Sequence, residues 1–300
     1  MSAPHASPLT PHLFLQCGSY RLPLDRPLIM GIVNVTPDSF SDGGLHSSQA
    51  SAIEHGRELI AQGADLIDVG GESTRPGATP VSVEEERHRV LGVIEALAAC
   101  GVPISVDTRK PQLMREAIAA GASFINDISA LEAPGALETA AETAAAVCLM
   151  HKQGEPQNMQ HDPHYHDVVS EVCEYLSGRI EAAQKAGIAG DRIVIDPGFG
   201  FGKNFEHNLA LLRGLPALAA LGAPVLAGLS RKAMLGRITG RNAGERVHAS
   251  VAAALFAAEQ GARILRVHDV LATRDALAVW CALRGTIGFF QQHSGTDPRE

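Results

Sequence analysis

Eight short apolar runs in this chain each lead into side chains that could do chemistry. The residues that end or follow them are Asn34, then Gly70-Gly71-Glu72-Ser73-Thr74-Arg75, then Asp107, Asn126-Asp127, His151, Asp196, Ser230-Arg231-Lys232, and finally Arg266 with His268. Singly, each could cap a helix or a turn. Capping does not require acids, cations and amides at eight successive places. The set divides by chemistry. Asp107, Asn126, Asp196 and Lys232 offer two carboxylates, an amide and an ammonium. That combination suits a flat heterocycle with N–H and C=O edges, because a buried polar site rejects a ring that leaves its groups unmatched. Arg75, Arg266 and His268 form a cationic group, and guanidinium forks match phosphate oxygens. Asn34 supplies a neutral amide oxygen that could hold a partly hydrated Mg²⁺ bridged to phosphate.

The elements that must position these residues are legible as a recurrent unit. The apolar runs are Leu28–Val33, Leu66–Val69, Ile104–Val106, Phe124–Ile125, Val147–Met150, Ile193–Ile195, Val225–Ala227 and Ile264–Val267. Between them lie helix-like stretches near 48–62, 82–100, 111–120, 135–145, 167–186, 205–221, 244–260 and 270–284. Gly63, Gly101, Gly121, Gly187, Gly222 and Gly261 follow helical stretches, where a left-handed cap is wanted. Strand–helix alternation implies a parallel sheet with right-handed crossovers. An open doubly wound sheet shares that alternation. The expected architecture is an α/β fold of the (β/α)8 TIM barrel type, whose active sites lie at the C-terminal strand ends. No composition break divides the chain. One barrel domain is expected over 12–285, with a loose arm at 1–11 and a tail at 286–300. Residues 13–24 read as a short N-terminal β-hairpin around Gly18-Ser19, placed to plug the barrel bottom.

Composition excludes several classes. Hydrophobic residues make up 45% of the 300 residues and aromatics 4%, so the core must be aliphatic and stacking platforms for single-stranded nucleic acid are few. A formal net charge of −8 opposes a general nucleic-acid surface. No apolar stretch approaches the ~18 residues of a membrane span. Five cysteines with no CxxC spacing read as reduced thiols of a cytoplasmic protein. The stretch from Gly198 to Lys203 lacks P-loop spacing and reads as a close-packed turn. His161, His164 and His166 share no regular element and are not read as a zinc site.

Two long Gly-, Pro- and Ser-rich loops, 36–46 and 72–81, complete the mouth and have the length of mobile lids. They also carry a resemblance. MGIVNVTPDSFSDGG at 30–44 and DVGGESTRPG at 68–77 resemble the first two signatures of the dihydropteroate synthase family. Ser105-Val106-Asp107-Thr108, Asn126-Asp127-Ile128, Leu149-Met150-His151, DPGFGFGK at 196–203, Ser230-Arg231-Lys232 and Arg266-Val267-His268-Asp269 follow in the family's order, so the resemblance spans about 28–283. It implies a transferase of folate biosynthesis, the target of sulfonamides. Such an enzyme joins 6-hydroxymethyl-7,8-dihydropterin diphosphate to p-aminobenzoate and releases pyrophosphate. Asp107, Asn126, Asp196 and Lys232 would then hold the pterin, with Met150 and Phe201 against its faces. Asn34 would ligate Mg²⁺ and, with Arg75, Arg266 and His268, bind the diphosphate. Thr74, Pro76, Phe40 and Ser230 would meet p-aminobenzoate, and Asp107, Lys232 and Arg75 would be catalytic. The resemblance also implies a homodimer through the later helices. One position departs: Ala233 stands where some members carry Ser. The p-aminobenzoate carboxylate would then fall to Ser230, to backbone N–H groups at a helix start, or to water. A pterin-dependent methyltransferase and a non-catalytic pterin-binding barrel are the rival readings.

Overall fold

The structure is a computed structural model that describes residues 14–35, 44–73, 77–155 and 157–285. The sequence-expected arm and tail, and the residues Phe40, Thr74, Arg75 and Pro76, lie outside the described residues. The chain enters as an antiparallel hairpin, β1 (Phe14–Cys17) and β2 (Tyr20–Pro23), with Cys17 opposite Tyr20. Eight parallel strands then close into a barrel: β3 (Leu28–Asn34), β4 (Leu66–Gly70), β5 (Ile104–Asp107), β6 (Phe124–Asp127), β7 (Ala146–Met150), β8 (Ile193–Asp196), β9 (Val225–Ala227) and β10 (Ala262–Val267). The last pairs with the first, placing Ile264 beside Leu28, and this closure decides for the barrel over the open sheet.

Helices α1 (Gly44–Ala61), α2 (Val83–Ala98), α3 (Pro111–Ala119), α4 (Ala136–Ala141) and α5 (Val168–Lys185) cover the first strands. They are followed by α6 (Phe205–Arg213), α7 (Leu215–Ala219), α8 (Ala233–Thr239), α9 (Val247–Glu259) and α10 (Val270–Leu283). Local signals set several starts. Ser82 accepts from the Glu85 amide, and acids at 84–86 suit the N-terminal dipole of α2. Pro111 opens α3, where its missing N–H costs nothing. On α2, Val90, Val93, Ile94 and Leu97 recur at helical spacing and turn inward to the barrel.

Three expectations change. The fourth helix ends at Ala141, because Thr143 turns its hydroxyl onto the Ala140 carbonyl and its oxygen accepts from the Ala145 amide, which competes with another helical turn. The stretch 205–221 is two helices, broken at Gly214, since Pro216 cannot continue the first one. Helix α8 has no counterpart in the sequence reading; its seven residues are too few to show a period. No described helix is long and apolar enough to cross a membrane.

The interior is layered. Leu28, Met30, Leu66, Phe124, Ala146, Cys148, Val194, Leu226 and Ile264 fill the barrel, and Leu15, Cys17 and Leu24 of the hairpin region close it from below. The Gly18 amide donates to the Ala144 carbonyl and fixes the hairpin there, as the plug reading expected. Side chains two residues apart on a strand share a face. Asp68 therefore stands one layer above Leu66, Asn126 above Phe124, Met150 above Cys148, Asp196 above Val194 and Arg266 above Ile264. Except at Met150, the switch from apolar to polar happens in that single step.

Candidate active site at the barrel mouth

Asp68 is the hub of the polar layer and is fully buried. One carboxylate oxygen accepts from the Ser105 hydroxyl at 2.5 Å. The other accepts from the Asn126 amide at 3.1 Å and from Arg266 Nε at 2.6 Å. A second guanidinium N–H of Arg266 reaches Asp107 Oδ2 at 2.9 Å. Arg266 thus bridges two acids from neighbouring strands. Burial and the Asp68 charge push Asp107 up to about 8, against the pull of Arg266. Burial opposes the Arg266 charge, but Asp68 and Asp107 outweigh it and hold the guanidinium ionised. Arg266 therefore stands among the carboxylates.

Across the mouth, Asp196 accepts from the Gly198 amide at 2.7 Å, and its burial raises the carboxyl above the usual range. Burial lowers Lys232 to about 8, with Asp196 opposing the shift. The Lys232 ammonium sits 4.5 Å from the centroid of the Phe201 ring. Phe201 belongs to a small apolar cluster with Ile128, Met150 and Met159. Acids, amide and ammonium at the edges and an apolar patch beside them form the surround that a flat, polar-edged ring requires. Asp107, Asn126, Asp196, Lys232, Met150 and Phe201, singled out from sequence, all belong to it.

Ser230 and His268 meet at the rim, with Oγ 3.0 Å from the imidazole Nδ1 and accepting from the His268 amide at 3.2 Å. Between Ser230 and Lys232, Arg231 takes a left-handed φ of 58° and forks onto Asp269 at 2.6 and 3.2 Å. Glu72 accepts from Lys110 at 2.6 Å and from Arg109 at 3.3 Å, and Arg109 also holds Glu155 at 2.8 Å. These pairs tie three strand–helix loops together on one side of the opening.

Asn34 ends β3 beside Gly70 and is half-buried. Among the described residues, no three His, Cys, Asp or Glu side chains converge to hold an ion by themselves. A divalent ion at Asn34 would take its other ligands from phosphate and water. A hard ion that keeps several waters and binds mainly through substrate phosphates fits that donor set, and Mg²⁺ behaves so.

The glycine-rich turn after β8 is close-packed, as its sequence suggested. A Cβ on Gly198, whose φ is +68°, would lie 1.9 Å from the His151 carbonyl oxygen, and one on Gly202 would lie 2.2 Å from that of Gln153. Gly198→Ala should therefore cost at least ~2 kcal/mol of stability, from left-handed strain and a backbone clash together. It should also weaken binding at the mouth, because the Gly198 amide holds Asp196. Urea denaturation and ligand titration on the purified variant measure both; an unchanged midpoint would contradict the close packing.

Sequence reading missed Asp68 and Ser105. Both lie inside apolar runs rather than after them. The available signal was an acid between Ile67 and Val69, at the position that alternation points inward.

Residues 30–268 match the family described as pterin binding enzyme. The dihydropteroate synthase of Neisseria meningitidis serogroup B is 54% identical over 275 residues, covering 89% of this chain and 96% of that protein. The chain belongs to the dihydropteroate synthase family. Solved members of the family share its fold. The Xanthomonas albilineans dihydropteroate synthase with 4-aminobenzoic acid is 56% identical, with a TM-score of 0.86 over 91% of this chain and 98% of that one. The Yersinia pestis dihydropteroate synthase in a sulfonamide drug complex is 49% identical, with a TM-score of 0.86 over 91% and 99%. The family match runs from the first barrel strand to the rim histidine and leaves the plugging hairpin outside. Ala233 is the first residue of α8 and offers no hydroxyl, while the Ser230 hydroxyl is already joined to His268.

Proposed function

We propose that this chain is a dihydropteroate synthase: a transferase that joins 6-hydroxymethyl-7,8-dihydropterin diphosphate to p-aminobenzoate and releases pyrophosphate in folate biosynthesis. The observation that carries the reading is the Arg266 clamp across Asp68 and Asp107. It lies in one buried layer with Asn126, Asp196 and Lys232 and beside Met150 and Phe201. Those acids accept from the N–H edge of the pterin, and Lys232 and Asn126 donate to its carbonyl and ring nitrogens. Arg75, Arg266 and His268 bind the diphosphate. Asn34 would hold Mg²⁺, and the bound ion would supply positive charge for the diphosphate.

In the reaction the methylene C–O bond breaks and its electron pair leaves with pyrophosphate. The electron-rich dihydropterin spreads the positive charge, and Asp107, close to it, stabilises it electrostatically. That charge in turn favours the ionised form of an acid otherwise held up near 8. The aryl amine then forms the C–N bond and loses a proton to water. A weakly basic amine needs no strong general base, so positioning and electrostatics supply the rate. Thr74, Pro76, Phe40 and Ser230 close over p-aminobenzoate, and a sulfonamide competes for that place.

The working form is a cytoplasmic homodimer. Phe256, Leu271, Val279 and Leu283 are exposed apolar residues on α9 and α10, and Ile238 lies nearby in sequence on α8. A second copy covering that face would remove them from water. Five free cysteines accord with a reducing compartment.

A pyrophosphate-release assay tests the activity. Release should require the pterin diphosphate, Mg²⁺ and p-aminobenzoate together, and should fall as a sulfonamide is added. Release without the aryl amine, or none with all three, would overturn the assignment.

A further inference from the structure

Lys203 ends the glycine-rich turn that carries Phe201. Its side chain is 2% exposed, among the largest fully buried side chains of the protein. A buried ammonium is costly unless its donors are matched. Burial lowers Lys203 to about 7, with Asp196 opposing the shift, and its donors are matched: Nζ donates to the Phe201 carbonyl at 2.9 Å and the His151 carbonyl at 3.3 Å, and lies 2.9 Å from His151 Nδ1. Burial and the adjacent ammonium push His151 down to about 3, so its ring is neutral and Nδ1 can accept. The ring is held from its other side by Tyr175, edge-on at 5.0 Å. His151 follows Met150, and Phe201 lies two residues before Lys203, so one ammonium joins both sides of the apolar patch. None of its hydrogen-bond partners is a substrate-facing acid, and nothing in the reaction described above uses it.

We propose that Lys203 is a positioning residue for the pterin: its buried ammonium pins the 198–202 turn to His151 and so sets the Phe201 ring against Met150 and beneath Lys232. The inference rests on the pterin reading of this site. Glycines at 198 and 202 let the turn approach the β7–α5 loop, where Gln160 donates to the Gly200 carbonyl at 2.6 Å and the Tyr165 hydroxyl to the Gly202 carbonyl at 2.8 Å. Lys203 adds the buried attachment at the Phe201 carbonyl itself. The Lys232 ammonium, 4.5 Å from the Phe201 centroid, then inherits its height from a residue that never touches the ligand.

The test compares Lys203→Met, which keeps the stem without the charge, with His151→Asn, which keeps an acceptor near Nδ1, and with the unaltered enzyme. Lys203→Met should raise KM for the pterin diphosphate about tenfold or more, the range for losing a buried charge-assisted hydrogen bond. KM for p-aminobenzoate should rise less, within about twofold, since Ser230, the described residue assigned to that substrate, is bonded to His268 and not to the 198–202 turn. His151→Asn should recover most of the pterin KM. The Kd of 6-hydroxymethylpterin, measured by calorimetry on the same proteins, should follow the pterin KM. An unmoved pterin Kd in Lys203→Met overturns the proposal. So does an equal rise in both KM values, the mark of general loosening. If Lys203→Met does not fold, His151→Ala stands in for it, with the same expectations. Failure of the unaltered enzyme to bind 6-hydroxymethylpterin would overturn the pterin reading, and this inference with it.

Discussion

Replacing Asp107 by Asn should leave the barrel folded and cut turnover by about 100-fold or more, the scale of removing one preorganised electrostatic group. The fold survives because Asn keeps the shape and its amide oxygen can still accept from Arg266 Nη2, now 2.9 Å from the acid. Turnover falls because no negative charge faces the methylene group as the diphosphate leaves. The pH profile separates this role from packing. Burial holds Asp107 up at about 8 and Lys232 down at about 8. As pH rises toward 8, more Asp107 carries its charge and kcat/KM climbs. Above 8, Lys232 loses its proton and kcat/KM falls. The two limbs overlap, giving a narrow maximum. Asp107→Asn should lose the rising limb attributable to this acid and keep the falling one. Near-normal turnover, or an unchanged acid limb in the variant, would remove Asp107 from the mechanism.

Asp68→Ala should be the most destabilising single change in the polar layer, at about 3–5 kcal/mol, because it strips a buried cation of one of its two carboxylates and orphans two further donors. Arg266 Nε, Asn126 Nδ2 and Ser105 Oγ all donate to this carboxylate, so three donors lose their acceptor together. Asp68→Asn should cost less, since one oxygen remains to accept. Chemical denaturation with a common m-value measures the difference. A midpoint for Asp68→Ala within error of the parent would mean that water or Asp107 replaces Asp68 at no cost.

The contrast between these two acids shows what the sequence discloses. Asp107 is legible because it ends the run Ile104–Val106, and a polar residue at a barrel strand end announces a site. Asp68 is hidden because it interrupts a run. Only its inward direction, set by alternation along β4, tells it from a tolerated flaw. Arg266 shows the complementary limit. Chemical type suggests a phosphate partner, but only the lateral register of the barrel discloses that it also reaches two carboxylates 159 and 198 residues away in sequence. Register between strands is a tertiary property, and no local pattern encodes it. Helix α8 and the break at Gly214 escaped for a different reason: short helices show too few turns for a period to emerge. The glycine-rich turn was read correctly as packing, yet the lysine that closes it looked like part of the turn rather than its anchor.

The aliphatic floor under the site has a kinetic consequence. Leu15, Cys17 and Leu24 pack under the barrel, and the described cluster above them, from Leu28 to Ile264, is apolar. Among the described residues this cluster gives water in the mouth no path downward, since a file of molecules needs polar partners along its path. Every molecule displaced by an incoming ring must leave through the opening by which that ring arrives. Substrate entry and drying of the site are therefore opposed traffic through a single doorway, and the strand–helix loops around that doorway govern the rate of both.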